Sequence, residues 1–463
     1  MVDKFIGRKT ELAALQEKFD SKGFHMAVIY GRRRLGKTAL INEFIRLNDV
    51  KAISFVALER TEKELLEMMG NTVLTELAPE LLDVVHFESF DKIFDFLAHY
   101  AKNEKIIFVI DEYPYLAQQC KYMNSLLQKY IDHQWKETQM FFIICGSLVS
   151  FMRDDVLSKN APLHGRSSIE LKLRPFDYLE TADFVPKFSN EDKAIVYGLT
   201  GGVAKYLEQF DDSKSLDTNI IKNFFSNTGY FTEEQVKTVI TGEKSSPTTY
   251  NSIISAIANG HTKHNEIATA SGIDDISYSL KVLQESELIE KRFSSGKPYY
   301  VITDGMLYFW FKYVSKAASL INAGRGDEYY NRIVKKDLHN FMGKVFENIA
   351  KQYVFMNMCT DKIPAFITDI TDYQTSYKDE KGNIRQVEID IVGKNEKSVE
   401  LAAECKFRNE KFDKDELESF LNKVNYLPAK NVFLILFSLS GFTEYVQAHS
   451  KDILLVDIND MYS

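Results

Sequence analysis

Along the first 175 residues, continuous apolar runs alternate with stretches whose apolar residues recur at helical spacing. The runs His25–Tyr30, Ala52–Ala57, Lys105–Ile110 and Met140–Cys145 have the length and side chains of buried strands. Strands that are apolar throughout are covered on both faces, which predicts a parallel α/β sheet. From Asp177 to about Thr241 the pattern is helical, broken at Gly201-Gly202. The polar patch Gly242–Pro247 reads as a linker. Helices are then expected over Tyr250–Ala258, His264–Ala270 and about Asp275–Leu288, with a turn at Ser271-Gly272. Two short strands over Lys291–Ile302 follow, around Ser294-Ser-Gly-Lys297. That order is a helix-turn-helix followed by a β wing, a winged helix. After a Gly- and Asn-rich connection at Asn322–Gly326, a second α/β pattern runs from about Val334 to Ser463. The predicted divisions are therefore 1–175, a helical lid at 176–243, a winged helix at 248–315, a linker at 316–333 and an α/β domain at 334–463.

Composition narrows the class without changing this division. The chain has 463 residues, 45% of them hydrophobic and 27% charged, ordinary values for a multidomain globular protein. No apolar stretch reaches membrane-spanning length, and Met1-Val-Asp-Lys does not begin a secretory signal. Cys120, Cys145, Cys359 and Cys405 are scattered, with neither a disulfide framework nor a zinc spacing. A cytoplasmic protein with no membrane partner is expected. A net charge of −9 argues against general coating of DNA but leaves room for a local basic groove.

The chemistry begins where the first strand ends. Gly31-Arg32-Arg33-Arg34-Leu35-Gly36-Lys37-Thr38-Ala39 is G-x-x-x-x-G-K-T between a strand and a helix. The glycines let main-chain N–H groups turn inward around phosphate oxygens, and the helix N-terminus adds partial positive charge. Lys37 is placed for the β- and γ-phosphates, and the Thr38 hydroxyl for Mg²⁺. A nucleoside triphosphate, ATP with Mg²⁺, is the expected ligand. Asp111 and Glu112 close the strand Ile106–Ile110. Asp111 suits Mg²⁺, and Glu112 suits polarising the attacking water. Ser147, after the strand Met140–Cys145, is a candidate sensor between these carboxylates and the γ-phosphate. Arg166 and Arg174 are candidate arginine fingers.

Phe5-Ile6-Gly7-Arg8-Lys-Thr-Glu11-Leu, the P-loop, Asp111-Glu112, Gly146-Ser147 and Leu163-His-Gly-Arg166 together resemble the prokaryotic AAA-superfamily ATPases. The branch lies beside the STAND signalling and origin-recognition-like ATPases, and the likeness covers roughly the first 210 residues. It implies that Phe5, Ile6 and Arg8 line the adenine pocket and that Arg166 is a finger or an intrasubunit sensor. Thr200-Gly-Gly202-Val-Ala204 resembles the G-G-x-P stretch of the lid in this group, with alanine in place of proline. Ser147 stands where many members carry asparagine.

In the winged-helix segment the third helix presents Ser277, Tyr278, Ser279 and Lys281 among Asp274, Asp275, Glu285 and Glu287. Lys291, Arg292 and Lys297 make the wing the more basic element. Phosphate neutralisation supplies most DNA affinity, so both DNA binding and a protein-contact role stay open here.

Farther on, Val387-Glu388-Ile-Asp390-Ile-Val alternates, so Glu388 and Asp390 share one strand face. Gly393-Lys-Asn-Glu396 turns the chain, and Ser398–Cys405 returns to end in Glu404-Cys-Lys406. A hairpin brings Asp390, Glu404 and Lys406 to one surface, with Glu347 on a preceding helix. Two carboxylates suit Mg²⁺, and the lysine suits orienting water at a phosphodiester. The order helix-Glu, strand-Asp, strand-Glu-x-Lys resembles the PD-(D/E)XK nuclease superfamily over roughly the last 120 residues, with Ile389 in place of the proline. The combination resembles P-loop ATPases that carry an uncharacterised domain of this kind at the C-terminus. It implies an α/β, restriction-endonuclease-like fold for this domain. Two functions follow: an ATPase acting on DNA with a Mg²⁺-dependent nuclease domain, or a nucleotide-switched regulator whose nuclease-like domain is a binding platform. The candidate partners are DNA, further copies of the chain or another protein.

Overall fold

Five strands, β1 (His25–Tyr30), β2 (Lys51–Val56), β3 (Ile106–Asp111), β4 (Met140–Gly146) and β5 (Ile169–Lys172), pair in the order β2-β3-β4-β1-β5. All four pairings are parallel. This computed structural model describes residues 5–231, 236, 247–294, 297–378, 384–396, 398–429 and 431–463. The expected linker at 242–246, the last lid residues to Thr241 and the wing tip Ser295-Gly296 fall outside them. The chain divides into two compact units, Met1–Pro175 and Phe176–Ser463.

In the first unit β3 and β4 are buried along their whole length, as their unbroken apolar sequence requires. Helices α1 (Lys9–Asp20) and α2 (Lys37–Leu47) cover one face through Leu15, Phe19, Leu40, Ile41 and Phe44. Helices α3 (Glu62–Leu77), α4 (Phe90–Asn103), α5 (Tyr113–Gln119) and α6 (Met123–His133) cover the other. A capping box, Thr61 with Glu64, starts α3. The four expected strands are present to within a residue at each end. β5 has no counterpart among them, because its four residues alternate Ile-Glu-Leu-Lys at an edge and carry no apolar run. Since β1 lies between β4 and β5, the chain reverses its winding there, and the strand ends on that side open into the crevice where doubly wound sheets bind ligands.

The second unit begins with helices that include α7 (Asn190–Thr200) and α8 (Leu216–Phe224). Three helices follow, α9 (Pro247–Ala258), α10 (His264–Ser271) and α11 (Ser277–Glu285). An antiparallel hairpin of β6 (Ile289–Ser294) and β7 (Lys297–Ile302) completes that group. After α12 (Gly305–Lys312), the expected linker at 316–333 is largely helical, with turns over Val314–Ala317, Ala318–Asn322, Gly326–Tyr329 and Tyr330–Val334. Its apolar residues Ala317 and Tyr330, with Val334 just beyond it, are fully buried, and that burial holds the turns. The long helix α13 (Lys335–Asn357) buries Leu338, Phe341, Met342, Phe346, Ile349, Ala350, Tyr353 and Val354, the stripe expected of one helical face.

A mixed sheet closes the unit. Strands β8 (Asp369–Lys378), β9 (Ile384–Asn395), β10 (Ser398–Lys406), β11 (Phe433–Ser438) and β12 (Ile453–Asp457) lie in the order β12-β11-β10-β9-β8, with α14 (Lys414–Val424) between β10 and β11. β8, β9 and β10 are antiparallel, while β10, β11 and β12 are parallel. The β9–β10 hairpin was expected to turn at Gly393–Glu396. Instead β9 runs on through Asn395, and the turn residue Glu396 has φ 52°. Gly393 serves packing there, since a Cβ would lie 2.9 Å from the Ile367 side chain.

Candidate functional site

In the first unit the loop between β1 and α2 is shaped by close approach. Gly31 has φ 150°, and a Cβ on it would lie 2.5 Å from the Leu173 carbonyl oxygen. Gly36 adopts the left-handed conformation, φ 86°, immediately before α2. Lys37 is buried, and its Nζ donates to the carbonyls of Gly31 and Arg32 at 2.8 and 2.9 Å. The loop thus holds its own ammonium inward. Burial pulls the Lys37 ammonium below its ordinary pKa, with Cys145, Glu112 and Asp111 opposing. A group so desolvated gains most from a phosphate.

The strand-end carboxylates meet this loop. The Thr38 hydroxyl donates to Asp111 Oδ2 at 2.7 Å, and the Glu112 N–H donates to Asp111 Oδ1 at 2.8 Å. An exposed hydroxyl in contact with a buried carboxylate makes a pair of hard oxygen donors, the set a Mg²⁺ ion takes beside phosphate. Glu112 sits at φ 52°, an uncommon conformation for a residue with a side chain. Ser147 holds its carboxylate, donating from N–H and hydroxyl to Oε2 at 3.2 and 2.7 Å. Ser147 therefore bears directly on the candidate water-polarising group.

The remaining expected residues of this unit divide. Arg8 is buried, and its guanidinium donates to the carbonyls of Leu35 and Arg174 at 3.1 and 2.7 Å and to Glu11 at 3.2 Å. It braces the phosphate loop from behind. Phe5 packs on the α1–α2 side of the core, and Ile6 is half-buried. Arg33 bonds the Tyr115 hydroxyl. Arg32, Leu35 and Gly31 are buried, and Arg34 has φ 72°. Ala39 lies in the first turn of α2. Arg166 makes a two-pronged pair with Asp132, 2.9 and 2.7 Å, and donates to the carbonyls of Pro162 and His164. Asp132, on α6, had no signal in the linear sequence, because nothing local marks which carboxylate a distant arginine will meet.

In the second unit, β9 and β10 bring the C-terminal set together. Asp390 Oδ2 accepts from the Cys405 N–H at 2.9 Å. Glu404 is 4% exposed, and its Oε1 accepts from Lys406 at 2.8 Å and from Lys423 at 2.7 Å. Its Oε2 is buried and has no hydrogen-bond partner among the described residues. Such an atom is costly unless something fills the place. Burial, then the nearby Glu404 charge, raise the Asp390 carboxyl above its ordinary value. Burial works against the charge on Lys406, and Glu404 more than offsets it, raising the ammonium. Glu347, on α13, is pushed up to about 7 by burial and by Asp390. Lys344 binds Glu347 at 3.0 Å and Glu388 at 3.7 Å.

Lys423 and Lys344 are the participants that sequence inspection missed. Lys344 carried a signal, since it precedes Glu347 by three on one helix face. Lys423 carried none, because α14 reaches Glu404 only through the fold. No group of three or more His, Cys, Asp or Glu side chains among the described residues converges on one metal position. The Asp390–Glu404 pair thus stands as two carboxylates beside two lysines. No helix among the described residues is long and apolar enough to cross a membrane.

The sheet order, the loop and the Thr38–Asp111 contact define a P-loop nucleotide-binding protein. Residues 5–210 match a family described as an ATPase domain predominantly from Archaea. Residues 310–419 match one described as archaeal and bacterial proteins of unknown function. The chain is 32% identical over 370 residues to the uncharacterized protein MJECL04 of Methanocaldococcus jannaschii, covering 78% of this chain and 79% of that one. It therefore belongs to the same family as that archaeal protein. An uncharacterized ATP-binding protein of the same organism, MJ0423, is 40% identical over 50 residues, 11% of this chain and 85% of that one. Among solved structures, the Walker-type ATPase PABY2304 of Pyrococcus abyssi aligns with a TM-score of 0.50 at 18% identity, covering 67% of this chain and 97% of that one. The protein is an ATP-binding ATPase of the P-loop class.

Proposed function

We propose that the protein couples ATP turnover in its first unit to action on nucleic acid, with a Mg²⁺-dependent phosphodiester site in its second. Thr38 and Asp111 would hold the Mg²⁺ that accompanies the nucleotide, which neutralises charge on the transferring phosphoryl group. Main-chain N–H groups between Gly31 and Ala39 bind the phosphates, and Lys37 exchanges its carbonyl partners for phosphate oxygens. Glu112, presented by Ser147, orients the attacking water. In the second unit Asp390 and Glu404 would hold a divalent ion, with Lys406 at the scissile phosphate.

One observation carries the nuclease half. Glu404 is buried, cationic partners hold one oxygen, and the other oxygen has no hydrogen-bond partner among the described residues, while its charge is felt by Asp390. A buried carboxylate oxygen without a partner calls for an explanation, and a bound cation supplies one. The test incubates plasmid and single-stranded DNA with the full chain, ATP and Mg²⁺, using wild type, Asp390→Ala, Lys406→Ala and Lys37→Ala. Nicking that vanishes in the first two variants supports the reading. Wild type that neither retains nor cuts any DNA removes it.

A second reading is favoured by Lys423, which occupies Glu404 from outside the expected motif. In that reading the carboxylates are neutralised by lysines, and the sheet is a binding platform governed by nucleotide. ATP-dependent changes in particle size would then survive Asp390→Ala but not Lys37→Ala. Identical sedimentation with and without nucleotide would exclude it.

A further inference from the structure

The second unit contains a cavity of about 1450 Å³ framed by the β6–β7 hairpin, α12, α13 and the outer strands β8 and β9. Its wall carries seven lysine or arginine side chains against four carboxylates, a local positive excess in a chain of net charge −9. Six tyrosines line it as well. The hairpin supplies Arg292 and Lys297, and α13 supplies Lys344 and Lys351. The Tyr299 hydroxyl donates to Asp372 on β8 at 3.0 Å, which ties the hairpin to the sheet and closes that side. Glu347 also lines the cavity and feels the Asp390 charge, so the cavity reaches the α13 face next to the carboxylate pair, which itself lies outside the lining.

Lys351 is the informative group. It makes no hydrogen bond or ion pair with any described residue, although it is half-buried. Burial, then the Arg292 charge, pull its ammonium below the ordinary value, with Glu347 and Asp372 opposing, and both cations line the cavity. Arg292 donates from Nε to Glu290 at 2.9 Å. Lys344, Glu347 and Lys351 follow one another at helical spacing on α13, so cations flank the carboxylate along one face. A half-buried ammonium sharing a cavity wall with a guanidinium whose charge it feels is a place where an anion relieves repulsion. The volume exceeds the roughly 300–1,000 Å³ of a single small-ligand pocket. A cationic groove lined with aromatic rings is the chemistry that holds an extended strand, phosphates on the cations and bases against the rings.

We propose that this cavity is a channel for single-stranded polynucleotide that leads the strand past Arg292 and Lys351 to Glu347, on the side of α13 nearest Asp390. The proposal rests on the nucleic-acid reading above and names its substrate class. DNA and RNA strands share the required chemistry, and the test separates them.

Fluorescence anisotropy measures binding of the full chain to labelled oligo-dT and oligo-rU of roughly twelve nucleotides. A duplex of the same length serves for comparison. EDTA suppresses any cleavage, and the titrations are repeated at several salt concentrations. Wild type holds at least one of the single strands more tightly than the duplex. Arg292→Ala combined with Lys351→Ala weakens that binding tenfold or more. It also lowers the salt slope by about 0.7 for each phosphate that is no longer neutralised. Arg292→Lys combined with Lys351→Arg stays within a few-fold of wild type, which separates charge from shape. Tighter binding of dT or of rU identifies the source of the strand. Affinity and slope unchanged in the double alanine variant overturn the channel, as does preference for duplex. Where the double alanine variant also keeps wild-type nicking, the channel alone falls. Where strand binding responds as expected but wild type never nicks, the cleavage reading alone falls.

Discussion

Each unit ends a buried strand in carboxylates next to a lysine, yet the two arrangements are electrostatic opposites. In the first, Lys37 is held by main-chain carbonyls, so Asp111 meets a hydroxyl and an amide rather than a cation. In the second, Lys406 and Lys423 sit directly on Glu404, and Lys344 sits on Glu347. The first site keeps lysine and carboxylate apart, ready for a phosphate and its metal. The second has neutralised itself, and any metal must displace a lysine from Glu404 or use the oxygen left open. Similar residue types at strand ends therefore do not imply similar readiness. What differs is whether the backbone or a carboxylate receives the ammonium.

The largest expected effect tests the open site. Lys37→Ala removes a preorganised cation from the transferring phosphoryl group and lowers ATP turnover by about 10²–10³-fold, judged by losses of single transition-state donors elsewhere. A steady-state phosphate-release assay reads it, and turnover within threefold of wild type would put the nucleotide somewhere else. Next comes the self-neutralised site. Glu404→Ala leaves Lys406 and Lys423 facing each other without their shared carboxylate and destabilises the second unit by about 3 kcal/mol. Chemical denaturation measures it, and Lys423→Met alone should cost much less while raising Mg²⁺ affinity.

Smaller effects refine the contrast. With Glu347 at about 7 against an ordinary 4.5, the folded chain binds the proton more tightly than the unfolded one. The stability this lends is complete below about pH 4.5 and is lost as pH rises through 7, by up to roughly 3 kcal/mol. Glu347→Gln should flatten that slope in melting temperature against pH, and an unaltered profile would assign the slope to another group. Last is Arg166→Ala. Its pair with Asp132 is partly exposed, at 24% and 36%, so the stability loss is at most about 1 kcal/mol. If turnover falls by 10³-fold instead, Arg166 leaves Asp132 to act as an arginine finger.

Much of this could be read along the chain, and the reason is locality. The P-loop, β1–β4, α13 and the Glu404-x-Lys406 alternation all follow from neighbours within a few residues. β5 escaped because its edge position leaves it no continuous apolar run. The helical turns at 316–333 escaped because a residue such as Tyr330 is buried against distant Phe225 and bonds distant Asp217. The Gly393 turn was misplaced because that glycine answers to Ile367 rather than to a bend.

The sequence by itself determined which chemistry is present: a phosphate-binding loop, carboxylates ending apolar strands, and a Glu-x-Lys strand paired with an Asp strand. Periods of two and of 3.6 residues suffice to place those groups on faces. Only the tertiary structure decided who faces whom. It set Ser147 on Glu112, Asp132 on Arg166, Lys423 on Glu404 and Arg292 in one cavity wall with Lys351, because Coulomb forces and burial act through space between residues the chain keeps far apart.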